Sequence, residues 1–134
     1  MILDVEGAFK DYFVTNMVNI VGNGNFTVTI YKEKFPVNSD REGISIFAEI
    51  PSTHPAFEIF PCGVRINTKA KKKTHAFALM QNVDLLIDKR ANTNLNSEIN
   101  LCKCLRNSGP SHFEDDSAHY YTALYETEVR KTSG

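Results

Sequence analysis

The stretch from Cys62 to Asp88, CGVRINTKAKKKTHAFALMQNVDLLID, constrains the fold more than any other part of the chain. Val64 and Ile66 alternate with polar Arg65 and Asn67, the period-2 pattern of a strand with one buried face. The period then lengthens to about 3.6. At about 100° per residue, Ala76, Leu79, Met80, Val83, Leu86 and Ile87 fall in one stripe, and Thr74, Gln81 and Asn82 fall outside it. A strand therefore runs into an amphipathic helix, and the apolar face of that helix needs a sheet to cover. Alternating segments supply one: FTVTIY and ISIFAEI before it, EINLCKCL and HYYTALYETEVR after it.

The other elements follow in chain order. Residues 4 to 20 place Val5, Ala8, Phe9, Tyr12, Phe13, Met17 and Ile20 at helical spacing, with Asp4 as N-cap and Glu6 in the first turn. Phe26, Val28 and Ile30 mark a first strand that Pro36 ends, and Asn38 to Gly43 reads as a loop or hairpin tip. Ile44 to Ile50 is a second strand. STHPAFEIFP, with Pro51 before it, reads as an extended excursion that mid-sheet geometry excludes. After the central strand and helix, Asn92 to Ser97 reads as a polar turn, and Ile99 to Leu105 as a strand whose apolar face Lys103 interrupts. Arg106 to Ala118, with Gly109, Pro110 and Glu114 to Asp116, reads as a long loop. His119 to Lys131 carries apolar groups on both faces in its first half, which suits a central strand or one shared with another subunit. The order is α, β, β, β, α, β, β. The expectation is one α+β domain over residues 1–134, with a mixed, mainly antiparallel sheet of about five strands flanked by two helices.

Length and charge agree with this and limit the function classes. The 134 residues suffice for one real core, and a net charge of −1 gives no general attraction to nucleic acid or membrane. The start, MILDVEGAFKDYF, has neither the basic flank nor the apolar run of a signal peptide, so an intracellular protein with three reduced cysteines is expected. Cys102 and Cys104 lie two apart on a strand, pointing the same way, and read as small buried hydrophobes rather than a metal or redox pair. Cys62 becomes a nucleophile only if His54 or His75 approaches it. His112, His119, Asp115 and Asp116 contain metal-binding side chains without a recurrent ligand spacing, and read as a solvated acidic loop. Nucleotide-binding and hydrolase signatures are absent, and no cofactor is implied. The dense basic run, Lys69 to Lys73, opposes the macrodipole at the start of the second helix and invites an anionic partner, although solvation alone also accounts for it. Leu85 and Ala78 lie opposite the buried stripe, and a large exposed leucine points to a protein contact.

Several of these segments together resemble the tail terminator, or tail completion, proteins of long-tailed bacteriophages, the ring-forming family typified by the lambda terminator. They are the amphipathic N-terminal helix, the meander after it, GVRINTK leading into a helix with lysines and alanines, the strand INLCKCL, the turn SGPSHFEDDS and the closing strand YYTALYETEVR. The resemblance runs from Leu3 to Lys131. It implies a homo-hexameric ring that caps the tail tube, ends tube polymerisation and meets a head-completion or connector protein. Such a protein is a virion component of the tail-neck junction, assembled in the host cytoplasm, with no enzymatic activity and no membrane. DNA would pass through the ring without specific contacts. Phe35, Phe57, Phe60, Leu85 and Tyr120 are the candidate subunit contacts, and Lys71, Lys72, Lys73, Asp115 and Asp116 the candidate electrostatic contacts. Other neck and head-completion proteins are the nearest alternative. A small nucleic-acid-binding domain or a cysteine-dependent enzyme is a further one.

Overall fold

The change of period becomes β3 (Ile59–Ala70) followed by α2 (Lys73–Ile87), with Lys71 and Lys72 between them. The computed structural model describes residues 3–17, 29–35, 42–49 and 59–132. On α2 the buried residues are Ala76, Leu79, Met80, Val83 and Ile87, as the stripe requires, with Leu86 half-buried. Asn82 is also buried, contrary to its expected place outside the stripe. The helix meets the core-facing side of β3, where Val64, Ile66, Thr68 and Ala70 lie, and Thr68 Oγ1 donates a 2.9 Å hydrogen bond to the Ala76 carbonyl. Full burial of each large apolar side chain on this seam stabilises by about 1.5–3 kcal/mol.

The first helix, α1, spans Val5–Asn16, and Asp4 caps it by accepting the Gly7 N–H at 2.9 Å. Val5, Ala8, Phe9 and Phe13 are its buried face. Expected positions 18–20 lie outside the described residues. Glu6 accepts the Ala48 N–H at 2.9 Å, tying α1 to β2 (Gly43–Glu49), and Lys32 of β1 (Thr29–Lys32) pairs with Asp4 at 2.8 Å. Tyr12 donates to the Leu86 carbonyl at 3.2 Å, so both helices share one face of the sheet and one core.

The fold is α+β with a single mixed sheet, but among the described residues the sheet has six strands, in the order β1-β2-β3-β6-β5-β4. The added strand is β4 (Ala91–Asn94), where a polar turn was expected; it pairs antiparallel with the start of β5 (Ile99–Glu114). As a four-residue polar edge it has no apolar alternation to reveal it. β1 and β2 pair in parallel. Of Asn38 to Gly43, read as a loop or hairpin tip, residues 38–41 lie outside the described residues, and Gly43 begins β2. Phe26, Val28 and Pro36 lie outside the described residues, as do Ile50 and most of the proline-rich excursion. Its end, Ile59 to Pro61, belongs to β3 rather than to a loop. Pro61 is tolerated because the pairing of β2 with β3 stops at Gly63, leaving β6 as its only strand neighbour among the described residues.

The largest departure is in β5. Arg106 to Glu114, expected as loop, continues the strand and pairs with β6 (His119–Lys131) through register shifts at Arg106/Ser108 and Ser108/Ser111. Gly109 takes φ +88°, and a Cβ there would stand 2.5 Å from the Thr122 carbonyl, so only glycine passes. The remaining turn is residues 115–118. A further shift between Leu101 and Lys103 makes Cys102 the extra residue, which puts Leu101 and Cys104 on the core side and Cys102 beside Asn100 on the other. The two thiols therefore do not point the same way. β6 lies between β3 and β5, the central position its two apolar faces suggest.

Candidate interaction surface

Strand alternation assigns each side chain of β3 and β6 to the helix-covered face or to the opposite one. Arg65, Asn67 and Lys69 of β3 and Tyr120, Leu124, Glu126 and Glu128 of β6 take the opposite face, in register with Phe47 and Glu49 of β2 and with Lys103, Leu105 and Phe113 of β5. No helix among the described residues covers this side. Phe47, Ile59, Leu105 and Phe113 are exposed on it.

At one end the face is aromatic and basic. The Phe113 and Tyr120 rings stack at 4.8 Å with a 3° interplanar angle, and Phe35 meets Tyr120 at 6.2 Å and Tyr31 at 5.8 Å. Lys69 Nζ lies 5.8 Å from the Phe35 ring and 5.9 Å from that of Tyr120, where ring quadrupoles compensate a side chain only 7% exposed. A groove of about 480 Å³ runs beside these rings, with Arg65, Asn67 and Leu124 along it.

At the other end the face is acidic. A groove of about 650 Å³ has Gly63 in its floor, Pro61 and Leu105 in its walls, and Glu49, Glu126, Glu128 and Lys103 around it. Glu49 and Glu126 flank Gly63 in the register, while Glu128 stands opposite Lys103. A Cβ at Gly63 would meet nothing within 4 Å.

The structure distributes the other expected contacts widely. Lys71, Lys72 and Lys73 are exposed at the start of α2, and the Lys71 N–H donates to Glu42 at 3.2 Å. Leu85 is 73% exposed on the outer side of α2. Phe60 is half-buried against the core, and Phe57 lies outside the described residues. Asp115 serves its own turn: Oδ1 accepts from the Ser117 and Ala118 N–H groups and the Ser117 hydroxyl, and Oδ2 from the Tyr120 hydroxyl. Asp116 is exposed. Of the expected contacts among the described residues, Tyr120 meets both Phe35, ring against ring, and Asp115, through its hydroxyl, while Phe60, Leu85 and the three lysines stand apart from them. Arg65, Lys69, Phe113 and the Gly63 groove were legible in principle as the outward positions of alternating strands, but only once the faces of β3, β5 and β6 are aligned.

The thiols are poor nucleophiles. Burial pushes Cys62 up to about 11 and Cys104 up to about 12, and raises Cys102 as well, against an ordinary value of 9.0. His75 stands by Glu42 at 3.9 Å, at the opposite end of β3 from Cys62; His54 lies outside the described residues. His112 Nε2 and His119 Nδ1 approach to 3.1 Å, with Glu114 3.5 Å from His119. Among the described residues no group of three or more His, Cys, Asp or Glu side chains is arranged to hold a metal ion, and no helix is long and apolar enough to cross a membrane. Neither a family model nor a curated protein matches the chain.

Proposed function

We propose that this chain is a ring-forming structural protein of the tail-terminator kind, which caps a bacteriophage tail tube, ends its polymerisation and offers the joint to the head connector. The observation that carries the reading is the sheet face opposite the helices. It exposes Phe47, Ile59, Leu105 and Phe113 around two grooves, a surface suited to protein contact rather than to a small substrate. Leu85 adds a separate apolar point on the outer side of α2. The order of the two helices and the long closing strands agrees with the resemblance, whereas the parallel pairing of β1 with β2 departs from its meander and most of SGPSHFEDDS lies in β5 rather than in a turn. A neck or head-completion protein would use the same kind of surface. The test is native mass measurement and electron microscopy, with and without tail tubes. A closed hexamer of a 15.1 kDa chain weighs roughly 90 kDa. A monomer at high concentration, with no rings on tubes, rejects the proposal.

One observation favours a second reading, a small nucleic-acid-binding domain. Arg65 and Lys69 lie among Phe35, Phe113 and Tyr120 around one groove, and base stacking on aromatics beside cations is a general mode of single-strand binding. Titration with single-stranded and duplex DNA at several salt concentrations separates the two. The ring reading expects weak binding to both.

A further inference from the structure

The acidic groove and the lysine run occupy opposite ends of the same strand. From Gly63 to Lys71 is eight residues of extended or near-extended chain, about 26 Å at the usual rise. The groove opens on the bare face of the sheet, whereas Lys71, Lys72 and Lys73 lie where β3 passes into α2. The two cannot meet within one chain. We infer that they meet between chains: the lysines of one copy dock into the Gly63 groove of the next.

Shape and charge favour this occupant. Gly63 leaves the floor open and Pro61 and Leu105 give apolar walls, which suit the methylene stems of lysines while their ammonium groups reach the rim. On that rim Glu128 is opposed by Lys103 across the strands, whereas Glu49 and Glu126 stand on either side of the glycine. On the donor side three consecutive cations are exposed at a helix start that has no acidic residue in its first turn and no side-chain cap. An anionic surface relieves that arrangement locally. Two different patches of one chain joined in this way make a heterologous contact, which repeats until it closes a ring or extends as a filament. The inference rests on the ring reading and names the surfaces that would build it.

Charge exchange tests it. One variant carries Lys71→Glu, Lys72→Glu and Lys73→Glu; a second carries Glu49→Lys and Glu126→Lys, leaving the Lys103 and Glu128 pair intact. A third, Gly63→Phe, fills the groove where the structure has room for a side chain. Circular dichroism confirms folding, and native mass reports assembly. The expected result is a parent ring of roughly 90 kDa, a shift to the 15.1 kDa chain for each variant alone, and recovery of the ring when the two charge variants are mixed. If the folded variants assemble as the parent does, or if mixing the charge variants restores nothing, the lysine-to-groove contact is overturned and the ring reading stands. If the parent itself is monomeric at every concentration and on tail tubes, both fall.

Discussion

Tyr125 donates a 2.9 Å hydrogen bond from its hydroxyl to Asp84 Oδ1, and so fastens the central strand β6 to α2. The other carboxylate oxygen, Oδ2, takes the Arg106 guanidinium at 2.9 Å, which ties β5 to the same point. Tyr125 is 1% exposed, and its burial, together with the Asp84 carboxylate, holds the phenol well above its usual range. A hydrogen bond to a charged group contributes about 1.5–3 kcal/mol. Tyr125→Phe should therefore lose about that much in urea unfolding. In a double-mutant cycle with Asp84→Ala the two losses should be less than additive, because they remove one interaction. The half-exposed Arg106 contact is worth less, about 0.2–1 kcal/mol, so Arg106→Ala should be the milder change.

The start of α2 has a missing part. Lys72 sits at the N-cap with the extended backbone a cap needs, φ −105° and ψ 135°, but makes no side-chain cap hydrogen bond. Lys72→Asp should supply both the bond and a charge of the right sign, raising stability by about 0.5–2 kcal/mol with a matching rise in Tm. If the lysines serve docking, the same variant should assemble less well than the parent. A gain in Tm together with weaker ring formation is the pair of measurements to look for.

How much of this was legible follows from the strength of each local period. Val64, Ile66 and the α2 stripe were readable because a helix and a strand that bury one face must repeat at 3.6 and 2. Asp4 was readable because a cap needs an acceptor at one place. The distal half of β5 was not: Arg106 to Glu114 is exposed along its whole length, so no buried side chain imposes alternation, and Gly109 and Pro110 signal a turn where the chain in fact keeps its pairing with β6. The bulge at Cys102 was hidden for a related reason. Pairing across the sheet decides it, and no single strand records its partner's register. The candidate surface suffered most, since Lys69, Phe35, Tyr120 and Phe113 come from four separate segments.

The thiols give a pH dependence with a definite sign. Folding raises Cys62 to about 11 and Cys104 to about 12 from 9.0. Between those values the unfolded chain gives up protons that the folded chain keeps, so stability is fully present below about pH 9 and falls as pH rises through 11 and 12. Unfolding free energies measured from pH 7 to 11 should decline toward the alkaline end, with a shallower decline in Cys62→Ala and Cys104→Ala. At pH 8, alkylation of the native protein should modify half-buried Cys102 first and leave Cys62 and Cys104 largely unreacted until urea is added.

The turn between β5 and β6 gives the opposite sign. Hydrogen bonds from the Ser117 N–H, the Ser117 hydroxyl, the Ala118 N–H and the Tyr120 hydroxyl hold the exposed Asp115 carboxylate down at about 2, against an ordinary 3.8. A carboxyl whose folded value is depressed stabilises the turn above its unfolded value, and that contribution disappears as pH falls through the folded one. The ordered turn should therefore persist at pH 5 and loosen between about pH 4 and pH 2. Because the group is exposed, the effect should be local: faster amide exchange at Ser117 and Ala118, with the core amides of β3 and β6 unchanged. Asp115→Asn keeps one acceptor oxygen and should retain part of the protection at Ala118 while removing its pH dependence. Asp115→Ala should abolish both. Since Phe113 and Tyr120 stack just inside this turn, Asp115→Ala should also loosen the aromatic end of the bare face, read as a change in the Tyr120 ring resonances. Exchange at Ala118 that is equally slow in Asp115→Ala and in the parent would show that strand pairing alone holds the turn.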